Sequence, residues 1–287
     1  MELTGRVIVV TGGGSGIGAA MCRRFAVEAP AAIVVADLDG ERAAAVAAEV
    51  RAAAPDVAVT SRAIDVADEG QVGALITEVV LDHGRLDLFC ANAGIGTGQG
   101  VEATDTVWEQ IWHVNVMAHV YAARALLPHW LEVGEGHLLI TASAAGLLTN
   151  LGDAPYTATK HAAVGLAEWL SVTYGDRGVH VACLCPQGVR TPLLFGDGGL
   201  GGAGAPGAAN DIDDAANPTG NLAAEVVKAQ RVIEPEEVAE VVVDGLADER
   251  FLILPHPEVA DYERARAGDR QRWLSAMRRM QSKLLGR

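Results

Sequence analysis

Near its start the chain reads Arg6-Val7-Ile8-Val9-Val10-Thr11-Gly12-Gly13-Gly14-Ser15-Gly16-Ile17-Gly18. The β-branched run that ends at Val10 is typical of a strand buried on both faces of a sheet. Glycines follow at once, and residues 19–26 have the composition of a helix. This order predicts a phosphate-binding turn, because glycines let the backbone approach a pyrophosphate and a helix N-terminus offers free N–H groups. A glycine turn alone is a weak signal, since many loops carry glycine for turn geometry.

A second apolar strand, residues 32–36, ends at Asp37, which lies 19 residues after Gly18. An acidic residue about 20 residues beyond such a turn binds the hydroxyls of the adenosine ribose. Its carboxylate would repel a 2′-phosphate, so Asp37, with Leu38 beside it, favours NAD over NADP. The alternative is that Asp37 and Asp39 only cap the helix predicted for residues 41–53.

Strands and helices continue to alternate along the chain. Further strands are predicted at 57–63, 86–91, 137–143, 179–185 and 251–254, and further helices at 69–83, within 108–128, from Tyr156 onward and at 234–246. This alternation predicts right-handed crossovers and a parallel sheet. We therefore predict an α/β fold with a Rossmann-like doubly wound parallel sheet flanked by helices, as one domain over residues 1–257. A C-terminal helical tail follows over residues 258–287.

The carboxyl ends of the strands in such a sheet share one edge, where ligands bind. The residues predicted to meet there are Thr11, Asp37, Asp65, Asn92, Ser143 and Pro186.

Tyr156 and Lys160 are four residues apart on a predicted helix that Pro155 helps to start. They therefore lie one turn apart on one face. An ammonium beside a phenol favours the phenolate and lowers its pKa from about 10. Such a pair is suited to general acid/base chemistry on an alcohol. The alternative is a chance pair on a helix surface.

Composition excludes several function classes. The chain has 287 residues, 50 % of them hydrophobic, and a formal net charge of −15, which argues against nucleic acid as a partner. No apolar run reaches the roughly 18 residues of a membrane span, and the first residues lack the features of a secretory signal. Four cysteines lie in apolar segments without zinc-like spacing, so we expect reduced core thiols, no metal and a cytoplasmic location.

Two segments depart from the alternating pattern. Seven of the twelve residues from Gly196 to Gly207 are glycine, so residues 193–235 are predicted to be either a flexible substrate lid or a disordered insertion without a role. The basic tail carries Trp273, Met277, Met280 and Leu284 at helical spacing. This stripe predicts packing onto the domain or a neighbouring subunit, the alternative being a helix on a membrane surface.

These features together resemble the short-chain dehydrogenase/reductase family over residues 3 to about 254. Thr11–Gly18 is similar to its TGxxxGxG turn, Asp65-Val66 to its adenine contact, and Asn92-Ala93-Gly94 to its NAG motif. The set that matches its catalytic tetrad is Asn115, Ser143, Tyr156 and Lys160.

The resemblance implies a role for each member of the tetrad. Tyr156 would exchange a proton with the alcohol or carbonyl oxygen, and Ser143 would hold that oxygen. Lys160 would lower the pKa of Tyr156 and bind the nicotinamide ribose, and Asn115 would anchor a water in a proton relay. The implied cofactor is NAD, and its implied contacts are Gly12, Gly14, Ser15, Gly16, Ile17, Gly18, Asp37, Leu38, Asp65, Val66, Asn92, Ala93, Gly94, Tyr156, Lys160, Pro186, Gly188, Val189 and Thr191.

The chain departs from the family pattern at two places. Gln187 stands where the family has the glycine of Pro-Gly, and the tail extends past the family's common end. The residues expected to line the substrate side are Ala144, Ala145, Asn150, Leu151, Gln187, Leu193, Leu194 and Phe195. This set is mostly apolar and contains no lysine or arginine to clamp an anion.

The predicted function is hydride transfer between NAD and a neutral, hydrophobic secondary alcohol or its ketone, by a homo-oligomer (tetramer or dimer). One alternative is an acyl-chain 3-ketoreductase, against which Asp37 argues because such reductases more often use NADPH. The alternative from another class is an NAD-sensing regulator without turnover, against which the intact tetrad argues.

Overall fold

The computed structural model describes residues 1–195, 222, 226 and 231–287. The strands are β1 (Val7–Thr11), β2 (Ala32–Asp37), β3 (Ala58–Ala63), β4 (Leu88–Ala91), β5 (Gly136–Thr141), β6 (Val179–Leu184), β7 (Gly188–Val189), β8 (Val232–Ile233) and β9 (Leu252–Ile253). The helices are α1 (Gly16–Ala26), α2 (Gly40–Ala53), α3 (Glu69–His83), α4 (Asp105–Trp112), α5 (Ala118–Val133), α6 (Ala144–Leu147), α7 (Ala154–Tyr174), α8 (Pro192–Phe195), α9 (Pro235–Ala247), α10 (Glu258–Gly268) and α11 (Arg270–Leu284). A π-helical turn, His113–Met117, joins α4 to α5, and a 3-10 turn, Gly175–Arg177, follows α7.

Seven strands form one sheet in the order β3-β2-β1-β4-β5-β6-β9, and every neighbouring pair is parallel. The strand order reverses between β1 and β4, which creates the crevice where doubly wound sheets bind ligands. The predicted α/β fold is confirmed, and the ends of its strands shift by only one or two residues. A short parallel pair, β7 with β8, lies apart from the main sheet.

The core lies on both faces of the sheet. Val7 and Val9 of β1 pack into one buried cluster, whereas Ile8 and Val10 pack into the other. This explains the unbroken apolar run of β1, because a strand between two helical layers needs apolar side chains on both faces. The four cysteines are buried and free, as expected for core thiols.

The helix predicted within residues 108–128 differs from expectation in two ways. It is interrupted by the π-helical turn, and it then continues past Pro128 to Val133. Pro128 and Arg124, whose carbonyl would have paired with an N–H at position 128, are both exposed, so water can satisfy that carbonyl. Trp130, two residues after Pro128, is buried and donates its indole N–H to the carbonyl of Leu86 at 2.6 Å, which anchors the end of α5.

The tail forms two helices that pack against the chain itself. Val259 of α10 joins the main core, and Trp273 of α11 packs against it. Met277, Met280 and Leu284 pack against a smaller cluster that includes Leu151. Of the two alternatives for the tail, the structure shows packing onto the domain. In the described part of the chain, no helix combines the length and apolarity that a bilayer crossing requires.

Candidate active site

A cavity of about 1570 Å³ opens at the carboxyl ends of the strands. Its lining comes from the segments that follow β1, β2, β3, β4, β5 and β6, together with residues of α10 and α11. Ligand pockets usually measure about 300–1,000 Å³, so this cavity is large for a single small molecule. The edge of the sheet predicted to collect the site residues is the edge at which the cavity lies.

The glycine turn lines one end of the cavity with Gly12, Gly14, Ser15 and Gly16. Gly12 and Gly16 have φ values of 63° and 50°, which side chains rarely adopt. Ser15 is the N-cap of α1 but makes no side-chain cap hydrogen bond. The N-terminus of α1 therefore faces the cavity in the arrangement that binds phosphate groups.

Gly18 does not belong to the cavity lining, and its predicted cofactor contact stays a prediction. A Cβ at this position would collide with the carbonyl oxygen of Gly12. Gly18 thus lets α1 pack closely against the glycine turn.

Asp37 and Leu38 line the same end of the cavity. The Oδ2 of Asp37 accepts a hydrogen bond from the N–H of Gly14 at 2.9 Å, which joins the end of β2 to the glycine turn. Asp39 is the residue that caps α2, because its carboxylate accepts from the N–H groups of Glu41 and Arg42. Asp37 is therefore not a helix cap, and its carboxylate stands at the cavity.

Asp65, Val66, Asn92, Ala93 and Gly94 also line the cavity. The amide of Asn92 links three strand ends: Nδ2 donates to the carbonyl of Thr11 at 3.0 Å, and Oδ1 accepts from Thr141 Oγ1 at 3.1 Å. The NAG segment is consequently held rigidly beside the glycine turn.

Asn115 is fully buried in the π-helical turn and does not line the cavity. Its Oδ1 accepts from the N–H of Ile95 at 2.9 Å, and its Nδ2 donates to the carbonyl of Ile95 at 2.9 Å and to Thr159 Oγ1 at 3.2 Å. The side chain therefore fastens the loop after β4 to α7. Isolated π-turns are frequent at functional sites, and the relay through this backbone stays a prediction.

Tyr156, Ser143 and Lys160 meet at the cavity, where all three are buried. The hydroxyl of Ser143 lies beside the phenol of Tyr156 and lowers its pKa, and it also donates to the carbonyl of Pro186 at 3.4 Å. Lys160 places its Nζ 5.5 Å from the centre of the Tyr156 ring and donates to the carbonyl of Thr141 at 2.9 Å. Ser143 is the N-cap of α6, with its Oγ accepting from the N–H of Ala145 at 3.1 Å, so its rotamer is fixed.

Burial dominates the protonation of this group. It raises the pKa of Tyr156 to about 12, and the hydrogen bond from Ser143 opposes the rise. Burial also lowers the pKa of Lys160 to about 8. The lowering that was expected from Lys160 is therefore not found in this structure, where burial is the largest influence on the pKa of Tyr156. Burial of the phenol raises its pKa by more than a lysine one helical turn away was expected to lower it.

Asp153, which sequence reasoning missed, positions this helix. Its carboxylate is buried and accepts from the N–H of Tyr156 at 3.0 Å, from the N–H of Thr97 at 2.8 Å and from the N–H of Gly98 at 2.7 Å. An acidic N-cap residue shortly before Pro155 is a local signal that could have identified it.

Pro186, Gln187, Val189 and Thr191 line the cavity, whereas Gly188 instead pairs with Val232 in the small sheet. The N–H of Gln187 donates to Nδ1 of the buried His256 at 3.2 Å. The Nε2 of His256 lies 3.2 Å from the carbonyl of Arg231 and donates to it. His256 therefore supports the turn at which Gln187 departs from the family pattern.

Most residues of the predicted substrate side lie at the cavity. Its predicted members that line the cavity are Ala144, Ala145, Asn150, Gln187, Leu193 and Leu194. Two others are not part of the lining, and their contact with the substrate stays a prediction. Leu151 packs instead with Leu222 and Val226, and Phe195 lies under the guanidinium of Arg190 at 5.4 Å. The predicted lid at 193–235 falls mostly outside the described residues, and its role stays a prediction.

Sequence reasoning also missed the contribution of the tail to the cavity. The lining residues from this part of the chain are Tyr262, Trp273, Ala276, Met277 and Met280. Their apolar stripe was recognisable from its helical spacing, but the surface that it covers was not.

A second cluster lies at the opposite edge of the sheet, where β5 and β6 begin. Possible ligand atoms of His137, His180 and Glu249 are within 4.8 Å of one another. The two imidazole rings are stacked, with centres 4.6 Å apart and planes 11° from parallel. Their in-plane lone pairs consequently do not converge on one ion.

Comparison with known proteins places this geometry in a family. The model of the short chain dehydrogenase family matches residues 6–196. The chain belongs to the short-chain dehydrogenase family. It is 34 % identical over 197 residues to 3β-hydroxysteroid dehydrogenase 2 of Eggerthella lenta, which covers 68 % of this chain and 75 % of the relative.

Solved short-chain dehydrogenases have the same architecture. A structure from Burkholderia phymatum in complex with NAD superposes with a TM-score of 0.80 at 31 % identity, covering 94 % of this chain and 95 % of the other. One from Sphingobium yanoikuyae in complex with NADPH gives 0.74 at 25 % identity, with the same coverage. The protein is therefore an oxidoreductase of a family that acts on alcohols and ketones, and its members bind NAD or NADPH.

Proposed function

We propose that the protein transfers a hydride between NAD and a neutral, hydrophobic secondary alcohol or its ketone. The observation that carries this proposal is the convergence of buried Tyr156, Ser143 and Lys160 at a cavity whose other end carries the glycine turn and Asp37. One end thus offers groups for a dinucleotide, and the other offers a proton donor.

The residues present fit a dinucleotide. The uncapped N-terminus of α1 and the glycine backbone provide N–H groups for a pyrophosphate. Asp37 offers a carboxylate to the hydroxyls of the adenosine ribose. These groups would hold the cofactor with its adenosine end beside β2.

Asp37 is the reason for proposing NAD rather than NADP. Arg42 also lines this end of the cavity, and an arginine there could accept a 2′-phosphate. The Nε of Arg42 is, however, paired with the carboxylate of Asp39 at 3.0 Å. The carboxylate of Asp37 would in addition repel the phosphate directly.

The nicotinamide supplies the hydride chemistry when it is bound. In ketone reduction the phenol of Tyr156 donates its proton to the carbonyl oxygen, and in alcohol oxidation it accepts the hydroxyl proton. Ser143 orients that oxygen by hydrogen bonding. With a pKa of about 12, the phenol is protonated at neutral pH and ready to donate. Oxidation of the alcohol is consequently expected to become faster as the pH rises.

The substrate is proposed to be neutral because of the charges at the cavity. Arg42 lies at the adenosine end, and Lys160 is occupied beside Tyr156. No other lysine or arginine belongs to the lining contributed by the described residues. An anionic group on the substrate would therefore find no cation to pair with.

The test is a panel of secondary alcohols with NAD, followed by NADH absorbance. Tyr156→Phe is expected to lower kcat at least about 100-fold, in line with the loss of a general acid/base, while NAD binding measured by calorimetry is retained. Retained turnover in this variant would refute the mechanism. Binding of NAD by the wild type without turnover of any alcohol would favour the NAD-sensing alternative. The cytoplasmic location and the homo-oligomeric assembly stay predictions.

A further inference from the structure

Helix α11 forms a wall of the cavity. Trp273, Met277 and Met280 are spaced i, i+4 and i+7, which places them on one face of the helix, and all three line the cavity. Ala276 and Val226 line it beside them. The opposite face carries exposed cations, so the apolar face is the one turned inward.

This wall is anchored to the helix that carries Tyr156. Arg266 of α10 donates to Nε2 of His161 at 3.2 Å, and His161 donates from Nδ1 to the carbonyl of Thr157 at 2.9 Å. Asp269 then caps α11 by accepting from the N–H of Arg272 at 2.9 Å. The helix that precedes the wall is therefore hydrogen-bonded to the helix that carries Tyr156, and the wall itself begins at the cap provided by Asp269.

The wall also rests on an apolar cluster of its own. Met277 and Met280 pack against Leu151, Leu222 and Val226. Their thioether side chains are unbranched and polarisable, so they adapt to irregular apolar surfaces. An indole and two thioethers thus face the cavity from one helix.

We propose that α11 forms a distal substrate subsite for a bulky alicyclic alcohol or ketone. Trp273, Met277 and Met280 contact the apolar rings of this molecule, while its reacting oxygen lies at Tyr156 and Ser143. The inference rests on the proposed function and adds the substrate class. A small acyclic alcohol would bury little of this apolar surface, whereas a fused-ring molecule would bury much of it.

The test compares two neutral probes, decahydro-2-naphthol and 2-butanol. In Met277→Ala and Met280→Ala, kcat/KM for the fused-ring alcohol is expected to fall about tenfold, which is the usual effect of lost apolar contact in a specificity pocket. The kcat/KM for 2-butanol should remain within about twofold of the wild-type value, because this small alcohol would not reach the subsite. Met277→Trp, which fills the subsite, should exclude the fused-ring alcohol and spare 2-butanol.

Leu274→Ala is the matched control, because Leu274 is an exposed apolar residue of the same helix that does not line the cavity. It should leave both probes unaffected. An equal loss for both probes in the methionine variants, or no loss for either, overturns the subsite.

A binding measurement separates this inference from the proposed function. Calorimetric titration of decahydro-2-naphthol into NAD-saturated Tyr156→Phe protein, with and without the methionine substitutions, measures binding without turnover. An unchanged Kd in the methionine variants overturns the subsite even if the wild type oxidises alcohols. A Kd weakened about tenfold supports the subsite even if NADH formation fails and the proposed function falls.

Discussion

Asp153 Oδ1 accepts a hydrogen bond from the backbone N–H of Tyr156 at 3.0 Å, and the same atom accepts from Thr97 Oγ1 at 2.7 Å. The start of the helix that carries Tyr156 is thereby joined to the loop after β4. A side chain that positions a proton donor is usually held in this way, by packing and a second set of hydrogen bonds. Asp153 is a positioning residue in this structure, because it acts through Tyr156.

Asp153→Ala is expected to reduce both stability and turnover. Loss of the helix cap and exposure of the unpaired loop N–H groups should lower the free energy of unfolding by about 1–3 kcal/mol. Misplacement of Tyr156 should lower kcat more than it raises KM. Chemical denaturation and steady-state kinetics provide these two measurements.

Asp153→Asn separates the two functions of this carboxylate. An asparagine oxygen can still accept from the N–H of Tyr156, but its amide nitrogen cannot accept from Thr97 and Gly98. Stability should therefore recover only in part. A kcat equal to that of the wild type in both variants would contradict the positioning role.

Asp37→Ala should narrow the preference for NAD over NADP, since it removes the carboxylate that repels a 2′-phosphate. The ratio of kcat/KM values with the two cofactors is the measurement. Asp37→Asn is the matched control for structure, because its amide oxygen can still accept from the N–H of Gly14.

If the negative charge of Asp37 causes the preference for NAD over NADP, both variants should narrow that preference to a similar extent. If the hydrogen bond from the N–H of Gly14 causes the preference instead, Asp37→Asn should have the same cofactor ratio as the wild type. An unchanged ratio in Asp37→Ala would remove this residue from the explanation of cofactor choice.

Because two histidines are buried, we expect the free energy of unfolding to fall at acidic pH. Burial lowers the pKa of His119 to about 3, and burial with the neighbouring His180 lowers the pKa of His137 to about 4. Each pKa is depressed in the folded state, so the unfolded state binds more protons below its pKa of 6.5. Stability should therefore be greatest above pH 6.5 and fall as the pH decreases toward 4.

The expected loss between pH 6.5 and 4 is about 3 kcal/mol for His119, from 1.36 kcal/mol per pH unit. Within the described part of the chain neither ring nitrogen of His119 has a hydrogen-bond partner, so His119→Leu should be tolerated near pH 7. Denaturant unfolding across this pH range should show that the free energy of unfolding falls less steeply with decreasing pH in His119→Leu than in the wild type. An identical slope in the variant would exclude His119 as a source of the acid sensitivity.

Much of the fold follows from local patterns in the sequence. The apolar run of β1, the glycine turn and Asp37 each carry a signal within a few residues, and the structure places all three where the pattern predicts. The site was harder to predict where its contacts are distant in sequence. His256 supports Gln187 from 69 residues away, and no local pattern indicates such a pair.

The contacts of the tail were also difficult to predict from the sequence. Helical spacing predicts that Trp273, Met277 and Met280 share an apolar face, but spacing does not identify the surface that covers it. The pKa of Tyr156 is a related case. Lys160 four residues away is visible in the sequence, whereas the burial that dominates the shift depends on tertiary packing.

The methionines of α11 give the protein a selective sensitivity to oxidants. Met277 and Met280 line an open cavity, whereas all four cysteines are buried. Peroxide should therefore convert these thioethers to sulfoxides before it reaches the thiols, and a polar sulfoxide disrupts an apolar surface. Turnover of a fused-ring alcohol should then decline while that of 2-butanol persists, and methionine sulfoxide reductase should restore it. A mass spectrum of the oxidised protein would identify the two residues.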